Sequence, residues 1–476
     1  MISPPDSISR YGSLVSEPQA FFESCARPLS VTGWYNPSKK AVSPLIGTAP
    51  DRTTLNWDSN GFKCADMLNE RFLMDFLTGA IAIQEESAMT SVHLMDIQPG
   101  QRILDLCAAP GNKTAQISTR LGESGTLVAN DISKARLGVL HGVIDRMGLA
   151  NVVTTTYDAR QFPIPHRLFD SVLADVPCSC EGTSRKYPGI LLKNNQNERT
   201  RLVRNQIEIL ERAVRCVRPG GCVVYSTCTY APEENECVVN DVLKRAPSGF
   251  ECELVQVQIP GFHFSPGLTN WNGEHLDDSL SKCARIWPHL NDTGGFFLAI
   301  LRRCQRDDDV SKDAPKIKTE PILTSEWPWL AHDFSESDLS PWRSIAFSNK
   351  YDRLMGQECE PPEGLKIQTI GMTGLNLKSQ YPKFSTALAL KIGHLARGAW
   401  ADIEPERALD YWDRKTVPVL TSQTPYPSTR TMIVRCGGQS LGLGSASDTS
   451  LNVQSRFPKV WGGLQIADRI RQIRTL

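Results

Sequence analysis

Between Gln101 and Glu236 the chain repeats one pattern: a short apolar run, a loop of small or polar residues, and an amphipathic stretch. The apolar runs are Arg102–Leu106, Thr126–Ala129, Asn151–Tyr157, Asp170–Ala174 and Cys222–Ser226. Strands that alternate with helices in this way predict a parallel, doubly wound α/β sheet. A later run, Phe296–Leu301, follows a Gly-Gly turn and predicts an antiparallel strand that closes the sheet.

An aspartate stands at or just after the end of each of the first four strands. These residues are Asp105, Asp131, Asp158 and Asp175. The carboxyl ends of parallel strands form the edge of the sheet where ligands bind, and carboxylates there can accept hydrogen bonds from ribose hydroxyls or an adenine amino group. Together they predict a pocket for a nucleoside cofactor, although each one alone is equally explained as a turn residue or a helix cap.

The loop Cys107–Lys113 follows the first predicted strand and opens a helix. It lacks the complete Gly-x-Gly-x-x-Gly pattern of dinucleotide sites and the Walker pattern of triphosphate sites. A dinucleotide or a triphosphate is therefore disfavoured. A cofactor that carries adenosine without phosphate fits the loop better.

Two cysteines follow neighbouring strands of the predicted sheet. Cys228 comes directly after the fifth strand, and Cys178 follows Asp175 at the end of the fourth. A thiol at this edge is a candidate nucleophile, whereas a cysteine taken alone is more often a small buried apolar residue. Lys113 and the helix N-terminus behind it can lower the pKa of a thiol. After Cys228, Pro232 and three glutamates predict the start of a helix.

The remaining composition narrows the class of protein. Lys+Arg and Asp+Glu are both 52, so the net charge neither supports nor excludes a nucleic-acid partner. No apolar run approaches the ~18 residues that cross a bilayer, and the first residues show no signal-peptide pattern. The fourteen cysteines suit a reducing compartment, so we expect a cytoplasmic protein without a membrane partner. Cys178 and Cys180 are spaced too closely for the usual zinc knuckle, and no metal is predicted.

Composition shifts divide the chain into four predicted parts. Residues 1–64 form an irregular or helical segment with a role in RNA binding, 65–304 the α/β domain, 305–319 a polar linker, and 320–476 an accessory region. In the accessory region, helices are predicted at Phe384–Arg397 and Ala401–Trp412 and short strands at Thr431–Cys436, Ser440–Gly442 and Asn452–Gln454. Short strands separated by glycine-rich turns predict a small β-barrel-like module.

Four segments carry a resemblance to a known family. They are CAAPGNKT at 107–114, ADVPCSCEGT at 174–183, YSTCTYAPEENE at 225–236 and RIWPH with DTGGFF at 285–297. They resemble the signatures of the RNA cytosine carbon-5 methyltransferases, which include the Nop2/Sun and Fmu-type enzymes, and they span roughly residues 65–303. The short N-terminal region and the C-terminal extension are most similar to the bacterial 16S ribosomal RNA branch of the RsmF or YebU type. This resemblance implies a Rossmann-like fold dependent on S-adenosyl-L-methionine (SAM) and a PUA-like RNA-binding module at the end.

The resemblance also implies roles for individual residues. Asp131 would hold the cofactor ribose, Asp158 the adenine, and Asp175 would lie between cofactor and base. Cys228 would be the nucleophile, and Cys178 would assist product release. The residues expected to contact the methionine and ribose of SAM are Cys107, Ala108, Ala109, Pro110, Gly111, Asn112 and Lys113. Lys113 also counts as catalytic, and the chain departs from the family at Cys180, where glycine is common.

The function implied is methylation of cytosine at carbon-5 in RNA by a monomeric enzyme, with small-subunit ribosomal RNA as the expected substrate and transfer RNA left open. One alternative is an RNA-binding assembly factor that keeps the fold without turnover, which the presence of Cys228 and Asp175 disfavours. A second is a DNA cytosine methyltransferase, whose nucleophile is the Pro-Cys thiol. The chain has no Glu-Asn-Val segment of the kind those enzymes usually carry.

Overall fold

The computed structural model of the chain describes residues 6–39, 52–64, 70–122, 124–193, 196–246, 249–304, 320–321, 334–335, 338, 342–345, 353–356, 359–376, 383–423, 431–446 and 452–458. The predicted linker 305–319 lies outside these ranges. Among the residues that are described, no helix combines the length and the apolar character needed to cross a membrane.

A small antiparallel sheet precedes the α/β region. The elements here are α1 (Asp6–Ser9), α2 (Pro18–Cys25), β1 (Val31–Tyr35), β2 (Arg52–Thr54), β3 (Gly61–Cys64), α3 (Glu70–Leu77), β4 (Ile81–Ile83) and α4 (Glu86–His93). The strands pair in the order β2-β3-β1-β4. Residues 1–64 were predicted to be irregular or helical, but the segment contains strands, and Trp34 and Phe62 on these strands bury their rings in cores that they share with later parts of the chain.

The α/β region follows the predicted order of strands and helices. Its elements are β5 (Arg102–Asp105), α5 (Asn112–Leu121), β6 (Thr126–Asn130), α6 (Lys134–Met147), β7 (Val152–Thr155), β8 (Phe169–Asp175), α7 (Gln196–Cys216), β9 (Val217–Thr227), α8 (Glu236–Arg245), β10 (Cys252–Val255), β11 (Ser265–Pro266), β12 (Asn270–Trp271), β13 (Glu274–His275), β14 (Ala284–Ile286), α9 (Pro288–Asn291) and β15 (Phe296–Arg303). Ser133 accepts a hydrogen bond from the Arg136 amide and caps α6.

The central sheet confirms the predicted topology. Strands β9, β8, β5, β6 and β7 lie side by side and are parallel, and β15 pairs antiparallel with β9. Asp175 on β8 lies opposite Ser226 on β9. The Pro-Cys loop and Cys228 therefore leave the sheet at the same edge, one strand apart.

The helix after Cys228 begins later than predicted. It starts at Glu236 instead of directly after Pro232, because residues 231–235 form turns that are tied to the end of β9. The Asn235 side chain accepts a hydrogen bond from Thr227 and donates one to the Thr229 carbonyl. The turn therefore fixes Thr227 and Thr229, the residues directly before and after Cys228.

The described part of the C-terminal region contains strands and two short α-helices. Its described elements are β16 (Glu320–Pro321), β17 (Trp342–Ile345), β18 (Arg353–Gly356), β19 (Ile367–Ile370), β20 (Met372–Thr373), β21 (Leu375–Asn376), β22 (Lys383–Phe384), α10 (Thr386–Ile392), β23 (Trp400–Asp402), α11 (Ala408–Trp412), β24 (Thr416–Pro418), β25 (Thr421–Ser422), β26 (Thr431–Cys436), β27 (Gln439–Ala446) and β28 (Asn452–Ser455). Six of these strands pair in the order β24-β28-β27-β26-β23-β25. The three predicted strands of this module are present as β26, β27 and β28.

Two features of this region depart from the sequence analysis. The predicted helix Ala401–Trp412 is a strand in its first part, because β23 pairs with β26 and Pro405 delays the helix until Ala408. In addition, β19 pairs antiparallel with β7 and adds an edge strand to the central sheet. Residues after the predicted linker thus complete the sheet of the preceding domain.

Candidate active site

The carboxyl ends of β5, β8 and β9 border a cavity of about 490 Å³, beside the point where the strand order reverses. Ligands of open α/β sheets usually bind at this position. The predicted site residues that line it are Cys107, Ala108, Ala109, Pro110, Gly111, Asn112, Lys113, Asp175, Cys178 and Cys228. The structure thus brings the predicted cofactor loop and the two predicted thiols into one space.

Two predicted cofactor residues, Asp131 and Asp158, are not part of the cavity wall. Asp131 is buried and accepts hydrogen bonds from the amides of Ala109 at 3.2 Å and Ser133 at 2.9 Å. Asp158 accepts from the Arg160 side chain, which lowers the pKa of Asp158, and from the Arg160 amide. Here Asp131 holds the cofactor loop in place and Asp158 caps the short helix that follows it.

The loop depends on glycine at position 111. Gly111 has φ +117°, and a Cβ atom there would lie 2.6 Å from Leu140 Cδ1. A side chain would therefore be strained and would also collide with α6. This close approach packs the loop and the start of α5, which form part of the cavity wall, against α6.

Asp105 was predicted as one of the four strand-end acids of the pocket but without a role of its own, and the structure places it in the cavity wall. Its side chain is buried in the cavity wall, Thr114 Oγ1 donates to Oδ2 at 2.8 Å, and Oδ1 has no protein partner. Burial outweighs the Thr114 hydrogen bond and raises the pKa of Asp105 to about 7. A buried acceptor without a partner is costly, so this oxygen fits a donor supplied by a ligand. The signal in the sequence was the acid at the end of the first strand.

A positively charged cofactor is expected to bind more tightly as pH rises through the pKa of Asp105. Below about 7 the carboxyl is protonated, whereas above it the carboxylate attracts the cation. We expect the affinity for SAM, measured by calorimetry, to increase ~10-fold between about pH 6 and about pH 8. The Asp105→Asn variant should lose most of this dependence, and an equal dependence in both proteins would contradict the role of Asp105.

Lys113 and Asp175 form an ion pair at the base of the cavity. Lys113 Nζ lies 2.8 Å from Asp175 Oδ2, and Ser226 Oγ donates to Asp175 Oδ1 at 2.7 Å. Burial lowers the pKa of Lys113, but the charge and hydrogen bond of Asp175 outweigh it and leave this pKa raised. Lys113 is therefore an ammonium group that positions Asp175, and it is not a base.

The two predicted thiols are in contact with each other. Cys178 Sγ lies 3.4 Å from Cys228 Sγ, and both are part-buried. The hydrogen bond from Cys178 lowers the pKa of Cys228, but the contact with Cys180 and burial outweigh it and leave this pKa raised. Hydrogen bonding with Cys180 and Cys228 raises the pKa of Cys178, whereas hydrogen bonding with Cys178 and Cys228 lowers the pKa of Cys180. The cluster thus favours one negative charge and opposes a second.

Residues 92–302, from α4 to the end of the central sheet, match the model of the 16S rRNA methyltransferase RsmB/F family. These residues are an RsmB/F-family methyltransferase domain. The predicted resemblance and the predicted Rossmann-like fold are confirmed, and SAM is the cofactor of this class.

Known proteins match about three fifths of the chain. Ribosomal RNA small subunit methyltransferase F of Escherichia coli strain K12 is 35% identical over 297 residues, which are 60% of this chain and 59% of that protein. A methyltransferase homologue from Pyrococcus horikoshii is 27% identical, with a TM-score of 0.54 over 63% of this chain and 100% of its own. NSun6 from the same organism, solved with SFG, shares the fold at 22% identity, with a TM-score of 0.53 over 63% of this chain and 99% of its own. The chain thus spans 59% of the length of its curated relative.

Two buried glutamates hold the Pro-Cys loop of the RsmB/F-family domain. Glu234 accepts hydrogen bonds from the Ser179 amide and from Gln206 Nε2, both at 2.9 Å. Glu181 pairs with Arg199 at 2.7 Å. Glu234 was predicted only as an acid at a helix start, because nothing in the local pattern shows that its side chain is buried. Its position six residues after Cys228 was the only available signal.

The N-terminal segment also braces the domain. Tyr11 donates a hydrogen bond to Glu181 at 2.5 Å, and Arg10 forms an ion pair with Glu233 at 3.0 Å. Tyr11 also packs against Tyr230, with ring centroids 5.5 Å apart. Arg10 and Tyr11 are thus part of the support of the site, a role that their sequence did not indicate.

Proposed function

We propose that this protein is a SAM-dependent enzyme that methylates cytosine at carbon-5 in RNA, with small-subunit ribosomal RNA as the substrate. The observation that carries the proposal is the position of Cys228, which lies 3.4 Å from a second thiol in the same cavity as the Lys113–Asp175 pair. The name of the E. coli relative supports the choice of ribosomal RNA.

The cavity fits a cationic nucleoside cofactor. Residues 107–113 would hold its methionine and ribose portions, and the unpartnered oxygen of Asp105 would accept from its amino group. Asp131 would bind the ribose hydroxyls through the remaining lone pairs of its carboxylate, and Asp158 would contact the adenine. When bound, SAM supplies an electrophilic methyl group. Lys113 would hold the Asp175 side chain in place in the wall of the pocket through their ion pair.

Covalent catalysis overcomes the low reactivity of the base. Carbon-5 of cytosine is a poor nucleophile, and addition of the Cys228 thiolate to carbon-6 transfers electron density to it. Burial and the contact with Cys180 raise the pKa of Cys228, whereas the positive charge of Lys113 and the hydrogen bond from Cys178 act in the opposite direction and would favour the thiolate. Negative charge develops at ring nitrogen-3 during this addition, and Asp175, held by Lys113 and Ser226, would donate a proton to that nitrogen while the Lys113 ammonium stabilises the carboxylate that remains.

The second thiol acts after the methyl group has been transferred. The proton on carbon-5 must leave before the bond between carbon-6 and Cys228 can break. Cys178, in contact with Cys228, would assist this step by ordering a water molecule that takes the proton, or as a base once its own thiol proton has been lost. The base must be unstacked to reach these groups, which suits a substrate with accessible single-stranded cytosines.

The region from 320 onward is assigned to RNA affinity, with its six-stranded sheet as the PUA-like module. A protein that only binds RNA remains the second candidate, and product analysis separates the two. Bisulfite sequencing of total RNA from cells with and without the gene is expected to reveal one or a few protected cytosines that depend on it. Identical profiles would argue for the binding protein, and protected sites in transfer RNA alone would correct the substrate.

A further inference from the structure

The mechanism uses two thiols, but the loop after β8 brings a third one to the same place. Cys180 Sγ lies 3.9 Å from Cys178 Sγ, and the sulfurs of Cys178, Cys180 and Cys228 all lie within 4.8 Å of one another. All three residues line the cavity. No other group of three or more potential metal ligands of this kind occurs in the described part of the chain.

Cys180 has a backbone conformation that is unusual for a residue with a side chain. Cys180 has φ +60°, in the left-handed region that glycine adopts most easily. The chain therefore carries a side chain at a position where glycine would relieve strain. Its sulfur points into the cluster, where it contacts Cys178 and also interacts with Cys228.

We propose that Cys178, Cys180 and Cys228 form a binding site for one thiophilic metal ion, with Zn²⁺ as its representative. A Zn²⁺ ion ~2.3 Å from each sulfur separates the sulfurs by about 3.8 Å, close to the distances of 3.4 and 3.9 Å in the cluster. The ligand set contains only sulfur, which selects soft or borderline ions over Mg²⁺ or Ca²⁺. The fourth position of the ion would face the cavity.

Binding exchanges protons for metal–sulfur bonds and needs no oxidant. Three Zn–S bonds form as water molecules leave the hydrated ion, and every thiol proton still present in the cluster is released to solvent, so the site carries one net negative charge. The Lys113 ammonium interacts electrostatically with both Cys180 and Cys228 and compensates this charge. The functional consequence rests on the proposed function: because the ion occupies the sulfur of Cys228, it blocks addition to cytosine and makes methylation sensitive to metal.

Binding is tested first, on the full chain and without RNA. Titration with Zn²⁺ in a thiol-free reductant should show one tight site by calorimetry, and Co²⁺ should produce a sulfur-to-metal charge-transfer absorption band. The Cys180→Gly variant should bind Zn²⁺ weaker by a factor on the order of ten or more and lose the band. Cys304→Ser, which removes an exposed thiol elsewhere, is the control and should bind as the parent protein does. Equal affinity in Cys180→Gly and the parent would overturn the proposal.

Activity is then measured against each protein's own metal-free rate. We expect stoichiometric Zn²⁺ to inhibit methyl transfer in the parent, a chelator to restore it, and Cys180→Gly to need about tenfold more Zn²⁺ for the same inhibition. An inactive metal-free protein that still binds Zn²⁺ through Cys180 would refute the proposed function and leave the metal site standing. An active protein that binds no Zn²⁺ would refute the metal site and leave the proposed function standing.

Discussion

Replacing Cys228 with alanine is expected to abolish methyl transfer, lowering the rate by a factor on the order of 10⁴ or more. Without the thiolate, carbon-6 receives no nucleophile and carbon-5 never becomes reactive. The variant should also form no covalent species with RNA. Both effects can be measured with labelled SAM and labelled RNA, the second on a denaturing gel. Cofactor affinity should remain close to that of the parent protein, which separates lost chemistry from lost structure.

The Cys178→Ala variant is expected to fail at a later step. Addition and methyl transfer should proceed, but loss of the carbon-5 proton should be slow, so the protein stays attached to its RNA. A shifted protein–RNA band should therefore appear with Cys178→Ala and be missing with Cys228→Ala, while Cys304→Ser behaves as the parent. The opposite pattern would assign the nucleophile to the Pro-Cys motif.

The largest expected loss of stability follows from the ion pair between Arg285 and Glu236. Both side chains are almost completely buried, Arg285 Nε donates to Glu236 Oε1 at 2.6 Å, and Nη1 donates to the Tyr230 carbonyl at 2.9 Å. Replacing Arg285 with methionine leaves a buried carboxylate without its counterion. We expect the free energy of unfolding to fall by about 3–5 kcal/mol. Urea unfolding followed by circular dichroism measures this change.

An exposed pair and a double variant are the controls for this experiment. Arg245 pairs with Asp241 on α8 but is 64% exposed, so Arg245→Met should cost less than about 1 kcal/mol. Combining Arg285→Met with Glu236→Leu should recover most of the loss, because no unpaired charge remains. Equal losses of unfolding free energy in Arg285→Met and Arg245→Met would show that the buried pair contributes no more to stability than the exposed pair.

The central sheet and the grouping of the thiols could be predicted from the sequence because they follow from local patterns. Apolar runs bounded by turns located the strands, and parallel neighbours placed Cys178 and Cys228 at one edge. The Gly111 loop was equally visible, since only a small residue fits where the loop meets α6. These features depend on residues close to one another in the chain or on a regular topology.

Features that depend on distant contacts could not be predicted. Tyr11 and Glu181 are 170 residues apart in the chain, and β19 reaches β7 from beyond the predicted linker. Asp131 and Asp158 illustrate a second limit. The sequence pattern places both residues at strand ends, but it does not show that backbone amides hold the Asp131 side chain or that Arg160 holds the Asp158 side chain. The direction of a side chain is set by partners that the local sequence does not contain.

The most direct test of the proposed mechanism is to identify the sulfur that attacks the base. RNA containing 5-fluorocytosine should trap the enzyme, because the fluorine replaces the proton that must leave from carbon-5. After digestion of protein and RNA, mass spectrometry of the adduct should find a methylated fluorocytosine on the peptide that contains Cys228. An adduct on Cys178 or Cys180 would contradict the mechanism. So would the absence of any adduct while RNA with ordinary cytosine is still methylated.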